Sequence, residues 1–212
     1  MTKVIDARGD IGAAADLLCA GALALVPTET VYGVGVAVSA YGHCEDQPGA
    51  ETGYGRIFTL KQREVTQTVP WLVDGPEALD RYGRDISDRV RLLAERFWPG
   101  PLTIVVRAAE NVPAFMRAAD GTIALRASAS LTIQSLIARC GSPLAVTSAN
   151  THGKPAPVSF SEIEPRILDG VDIAIDAGET PCRDASTIVA VRDGETVILR
   201  EGALNSLHIE GV

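Results

Sequence analysis

Leu25-Val26-Pro27-Thr28-Glu29-Thr30-Val31-Tyr32-Gly33-Val34-Gly35 is the stretch on which the reading of this chain turns. An apolar run from Ala22 to Val26 meets a proline, then a dense polar patch that ends in two closely spaced glycines. The pattern reads as a buried strand whose end opens into a loop carrying hydroxyls, a carboxylate and a phenol. Open α/β sheets place ligands at such strand ends. Gly33 and Gly35 permit positive φ and close approach of another chain or a ligand. A turn with incidental hydroxyls is the plainer reading, and the rest of the chain decides between the two.

With 212 residues, 46% hydrophobic and 22% charged, the chain can bury a sizeable core. Twenty glycines and twelve prolines imply many turns between short elements. No apolar run approaches the ~18–20 residues of a membrane span. Met1-Thr2-Lys3-Val4-Ile5-Asp6 carries no basic region followed by a long apolar stretch, so the expectation is a cytoplasmic protein with no membrane association. Cys19, Cys44, Cys140 and Cys182 form no Cys-x-x-Cys pair, and His43, His152 and His208 are dispersed. That spacing supports neither a metal site nor a disulfide framework. Cys19 and Cys140 lie in apolar helical patterns and are expected as buried core thiols. Nineteen basic against 27 acidic residues leave a net charge of -8. Such a chain is a poor general polyanion binder, although a local basic pocket for one nucleotide is compatible with it.

Periodicity predicts helices over 10–20 (Asp10 as N-cap), 54–62, 75–83, 86–97 and about 130–140, with a weak one over 160–168. Strands are predicted at Val69–Val73, Leu102–Val106, Ile123–Arg126, Leu144–Thr147, Val171–Ile175, Ser186–Val191 and Thr196–Arg200. Asp193-Gly194 joins the last two as a hairpin turn. Residues 39–53 lack periodicity and read as a long, mobile surface loop. Alternating helices and short strands, with no convincing linker, indicate an α/β (α+β) fold: one domain over 1–212 around a twisted, mixed sheet.

Basic and polar groups recur at the ends of these strands and helices. Lys61 and Arg63 suit a phosphate site or a solvated helix end. Arg126 ends a buried strand and calls for a carboxylate or phosphate, either in a ligand or as an internal ion pair. Ser148 and Asn150 suit a ligand or a turn, and Arg200 suits a ligand or a surface acid. There is no Gly-x-x-x-x-Gly-Lys-Ser/Thr loop, no Gly-x-Gly-x-x-Gly and no Gly-x-Ser-x-Gly elbow. Any ATP must therefore be held by discrete side chains and its bound magnesium.

Taken in order, Pro27-Thr28-Glu29-Thr30-Val31-Tyr32-Gly33-Val34-Gly35, Lys61-x-Arg63, Trp98-Pro99-Gly100-Pro101-Leu102-Thr103, Leu125-Arg126, Thr147-Ser148-Ala149-Asn150, Gly153-Lys154-Pro155, Ser186-Thr187-Ile188-Val189 and Leu199-Arg200-Glu201-Gly202 form one recognisable series. It resembles the YrdC-like threonylcarbamoyl-AMP synthases over roughly residues 10–205. The resemblance implies a single-domain enzyme with a concave basic cavity. It would form L-threonylcarbamoyladenylate and pyrophosphate from L-threonine, bicarbonate and ATP with Mg2+, for threonylcarbamoyladenosine in tRNA. Implied partners are tRNA-modification proteins, with weak RNA binding.

By the same resemblance, Lys61 and Arg63 would be catalytic and hold the phosphates. Thr28, Thr30, Tyr32, Arg126, Ser148 and Ser186 would bind threonine, and Gln67, Asn150 and Arg200 the nucleotide. The chain departs from the pattern after Arg63, where Glu64 replaces the usual proline, Gln67 stands for an asparagine and Leu72 falls where a histidine is common. Two other readings follow from those departures and from the shared fold. One is a non-catalytic protein binding nucleotide or double-stranded RNA; the other is a carbamoyl-transfer relative.

Overall fold

The computed structural model describes residues 2–210, which form one eleven-stranded sheet with helices on both faces. The chain enters through β1 (Lys3–Asp6), α1 (Gly12–Cys19), β2 (Ala24–Pro27) and β3 (Tyr32–Ala37). Next come α2 (Gly53–Lys61), β4 (Trp71–Val73), α3 (Ala78–Tyr82), the short β5 (Gly83–Arg84) and α4 (Asp88–Phe97). β6 (Leu102–Ala108), β7 (Thr122–Ala127), α5 (Leu131–Cys140) and β8 (Leu144–Ser148) follow. Last are α6 (Pro165–Asp169), β9 (Ile173–Asp176), β10 (Thr187–Arg192), β11 (Glu195–Arg200) and α7 (Ser206–Glu210). The strand order is β1-β9-β2-β3-β8-β4-β7-β6-β10-β11, with β5 beside β6. The sheet is mixed: β9 runs parallel to β1 and β2, β4 to β7, and β6 to β10, whereas the other neighbours are antiparallel.

The opening stretch is a hairpin, not a strand followed only by a loop. β3 pairs with β2, Leu25 opposite Val34 and Val26 opposite Gly33, and every residue of both strands is buried. A strand buried on both faces shows no polar alternation, so its sequence does not separate it from a glycine-rich loop. The glycines serve close approach: a Cβ on Gly35 would lie 2.4 Å from Ala145 O, and one on Gly33 would lie 2.5 Å from Val146 Cγ1. Gly35→Ala is therefore expected to force β3 and β8 apart and to cost ~3 kcal/mol, read as a lower urea midpoint.

Side chains alternate across the sheet. One face carries Leu25, Val34, Trp71, Ile104, Leu125 and Val189, packed with Ile57 and Phe58 of α2 and Val90 and Leu93 of α4. On the other face, α1 and α5 cover Val26, Leu72, Val146 and Ile173 through Leu18, Ile133 and Leu136. Register then carries this second face onward, with Arg126 beside Leu72 and Ile188 beside Thr103. Beyond the cover of α1 and α5, those residues line an open cavity. The site is the uncovered part of a half-covered sheet face.

Several expectations change. Ile11, not Asp10, is the N-cap of α1, while the Asp10 carboxylate accepts from Gly12 N at 2.7 Å. Cys19 is exposed and Cys140 only half-buried, because both end their helices at the rim of the α1–α5 contact. The 39–53 segment is not wholly a surface loop: Val38–Ala40 forms a short 3-10 turn, and Tyr41 is buried with its hydroxyl donating to Gly21 O at 2.5 Å. The weak helix over 160–168 resolves into a turn at Phe160–Glu162 and α6. β1, β5 and α7 carried no readable pattern and appear only in the structure. The Asp193-Gly194 turn has φ of 51° and 84°, the two left-handed residues of a type I′ hairpin.

Candidate active site

The loop after β2 is shaped by its own hydroxyl. Thr28 Oγ1 accepts from Thr30 N and Val31 N, both at 3.1 Å, and donates to Val31 O at 2.6 Å. Neighbours hold the loop from outside. Ser130, the N-cap of α5, donates to Pro27 O at 3.0 Å; Thr180 Oγ1 donates to Thr30 O at 2.8 Å, and Cys182 N to Glu29 O at 2.9 Å. Glu29 and Thr30 are thereby aimed inward rather than at solvent, and both are buried.

Arg126 meets them from β7. It is 5% exposed, and its donors reach three acceptors: Nε to Gly100 O at 3.1 Å, Nη1 to Thr30 Oγ1 at 2.9 Å, and Nη2 to Glu29 Oε1. The last approach is 2.5 Å but is not aligned as a hydrogen bond. Glu29 Oε2 takes the Ser128 hydroxyl. Burial pushes the Glu29 carboxyl up, but the Arg126 charge and hydrogen bonds from Ser128 and Ala129 N outweigh it, leaving the group below its ordinary value. The internal ion pair therefore exists, and it stands at the cavity wall, because Arg126 also lines the cavity.

Lys61 and Arg63 sit on the opposite flank. α2 ends at Lys61, and Gln62 adopts a left-handed conformation (φ 52°) that turns the chain back toward the sheet. Lys61 is 2% exposed rather than a solvated helix end. Its ammonium donates to Ser148 O at 2.5 Å, Asn150 O at 3.0 Å and Asn150 Oδ1 at 3.1 Å, so it fastens the turn after β8. Burial first, then the Arg63 charge, lowers its pKa to about 8, against an opposing pull from Glu164. Arg63 donates to Thr147 Oγ1 at 3.1 Å and to the carbonyls of Gln67 and Thr68, both at 2.7 Å. Gln67 contributes that carbonyl, while the residue itself is exposed and outside the cavity lining.

Ser186 and Thr103 share a buried hydroxyl contact of 2.8 Å on the cavity floor, and Arg200 Nη2 donates to Ser186 O at 2.6 Å from the exposed rim. Tyr32 lines the cavity, but its hydroxyl donates to Gly178 O at 3.0 Å and accepts from Ala177 N at 2.9 Å. Asn150 turns its amide to Thr151 O and Lys154 O. The structure thus brings Thr28, Thr30, Tyr32, Arg126, Ser148, Ser186 and Arg200 into one lining, with Lys61, Arg63 and Asn150 behind the Thr147–Ser148 wall. Thr103, Thr147, Ser128 and Glu29 are added to the set; only the alternation of Leu102–Val106 could have exposed Thr103 as facing away from the core. The cavity measures about 570 Å³ with its open mouth. Among the described residues it is lined by two arginines and no carboxylate, in a chain of net charge -8.

Residues 16–202 match the Sua5, YciO and YrdC family model, described as Telomere recombination. The chain belongs to this family. It is 33% identical across its full length to a threonylcarbamoyl-AMP synthase of Pyrococcus abyssi and spans 61% of that relative's length. A threonylcarbamoyl-AMP synthase of Vibrio cholerae is 30% identical over 85% of this chain and 95% of its own. The crystal structure of P. abyssi Sua5 complexed with L-threonine superposes with a TM-score of 0.87 at 31% identity, covering all of this chain and 60% of that one. The mixed sheet with flanking helices is the Sua5/YrdC fold. Among the described residues no helix is long and apolar enough to cross a membrane.

Proposed function

We propose that this chain condenses L-threonine, bicarbonate and ATP into L-threonylcarbamoyladenylate and pyrophosphate, supplying threonylcarbamoyladenosine formation in tRNA. The observation that carries the reading is the cavity wall: the buried fork of Arg126 among hydroxyls, Arg200 at the rim and, among the described residues, no acidic side chain. The named relatives of comparable sequence support it.

In this reading the free N–H groups of Arg126 receive the threonine carboxylate, and Thr30 and Ser186 lie beside it. Lys61 and Arg63 stabilise charge on the phosphates, with Asn150 and Arg200 on the nucleotide. Magnesium enters as part of the ATP substrate; among the described residues no group of three or more His, Cys, Asp or Glu is placed to hold a metal. The threonine amine attacks bicarbonate with loss of water, or carbon dioxide with loss of a proton, to give the carbamate; a carbamate oxygen then attacks the α-phosphorus and pyrophosphate leaves. No protein nucleophile is required, so positioning and electrostatics supply the rate. The labile product would pass to tRNA-modification proteins.

Labelled ATP with magnesium and bicarbonate should release pyrophosphate only when threonine is added. Pyrophosphate release that ignores threonine sinks the proposal. Turnover with carbamoyl phosphate in its place would favour the carbamoyl-transfer reading, and tight double-stranded RNA binding without turnover the non-catalytic one.

Lys61 makes the reaction pH-sensitive. A lysine with its pKa lowered to about 8 is charged at neutral pH and loses that charge as pH rises through 8. ATP affinity should therefore fall across this range, with the midpoint shifted upward in the complex because phosphate favours the ammonium. Lys61→Arg removes the fall, since guanidinium stays charged. ATP titrations at pH values on either side of 8 check both statements.

A further inference from the structure

We propose that Glu29 is the positioning residue for Arg126, fixing which edge of the guanidinium faces the cavity; this rests on the threonine-site reading above. Glu29 does not line the cavity, whereas Arg126 does. The carboxylate therefore acts through the arginine rather than on a ligand.

A guanidinium carries five N–H donors in a rigid plane. Here three protein acceptors, from three separate parts of the chain, meet them: Gly100 O, Thr30 Oγ1 and Glu29 Oε1. Gly100 O and Thr30 Oγ1 take hydrogen bonds, whereas Nη2 is held against Glu29 by charge without an aligned bond, so the Nη1–Nη2 edge keeps N–H groups of the kind a carboxylate takes in a forked pair. Gly100 and Thr30 hold Nε and Nη1 by neutral contacts. Among the described residues, Glu29 alone forms an ion pair with Arg126, at Nη2, and so supplies the charge that keeps a buried cation in place before any ligand arrives. Glu29 is itself held: Ser128 donates to its other oxygen, and Cys182 N anchors its carbonyl at 2.9 Å. The chain Ser128–Glu29–Arg126 thus runs from the turn after β7, through the loop after β2, and back to β7. Orientation of the fork is set by the fold rather than by the substrate.

The experiment is calorimetric titration with threonine and, separately, ATP, on wild type, Glu29→Gln, Ser128→Ala, Arg126→Ala and the Glu29→Gln/Arg126→Ala double variant. Glu29→Gln is expected to weaken threonine binding by ~10-fold or more, the scale on which loss of an orienting partner acts, and to leave ATP binding unchanged. Ser128→Ala should shift threonine in the same direction by less. The double variant should bind threonine no worse than Arg126→Ala alone, because a residue that works through another adds nothing once that other is gone. Should Glu29→Gln fail to fold, Ser128→Ala and the double variant, which contains no lone buried charge, decide the question.

Threonine affinity unchanged in folded Glu29→Gln, or effects that multiply in the double variant, would overturn the positioning role while leaving the threonine site intact. Equal loss of threonine and ATP would do the same, since that is what general disruption produces. Wild type that fails to bind threonine would reject the site reading and this inference together.

Discussion

Arg126→Ala is expected to weaken threonine binding by ~100-fold or more while ATP affinity changes by less than ~3-fold, since a forked, desolvated charge pair is worth several kcal/mol and a remote one little. Equal loss for both ligands in paired titrations would reject the carboxylate role. The substitution also strands Glu29, which is 9% exposed, without its counter-charge. Breaking a buried pair in this way costs about 3–5 kcal/mol. The sign with pH distinguishes this loss from a simple packing defect. In the wild type, Glu29 lies below its ordinary 4.5, so its stabilisation is present above that value and lost as pH falls through the folded pKa. Without Arg126, burial, the largest influence on Glu29, loses its main opponent, so the folded pKa is expected to rise above 4.5. The variant then binds more protons folded than unfolded over that window, and its stability falls as pH rises. Its melting deficit relative to wild type should therefore be smaller near pH 5 than near neutrality; a deficit that is independent of pH would contradict the stranded-charge account.

Lys61→Ala should show the opposite ligand signature. Removing the ammonium takes a cation from the proposed phosphate flank and leaves Ser148 O, Asn150 O and Asn150 Oδ1 short of a donor. Loss of one preorganised charge-stabilising group lowers turnover by about 10²–10³-fold. ATP affinity should drop with it, whereas threonine binding at Arg126 should be nearly unchanged. A variant that retained ATP binding and turnover would show the lysine to be only a fastener of the turn after β8. Lys61→Arg supplies charge but cannot point three donors into so small a space, so partial recovery of ATP binding without full turnover is the expected result.

The structure keeps the two proposed ligand-binding cations apart in space. Arg126 is reached from β7, with its partners on the loops after β2 and before β6. Lys61 is reached from the end of α2, with its partners on the turn after β8. The wall between them is the Thr147–Ser148 segment, whose hydroxyls touch Arg63 and Lys61 on one side and whose residues line the cavity on the other.

Much of this was legible in the residues alone, for local reasons. The periods of α4 and α5, the Asp193-Gly194 turn and the β-branched run at Leu102–Val106 each follow from short-range sterics and patterning, which a sequence displays directly. The ordered motifs marked Thr30, Lys61, Arg126, Ser148, Ser186 and Arg200 as the residues to follow. Tertiary structure alone decided the rest. Nothing in Pro27–Gly35 distinguishes a hairpin from a loop, because β3 is buried by neighbours distant in the chain and so loses its alternation. Nothing in Ile123–Arg126 chooses between an ion pair and a ligand site; the ion pair to Glu29 forms, and Arg126 lines the cavity as well. Lys61 reads as a helix end meeting solvent until β8 is set beside β3 and β4, which carries Ser148 and Asn150 over its ammonium. Residue types and local order belong to the sequence; which charges lose water, and which partners then replace it, is decided only when distant strands are brought together.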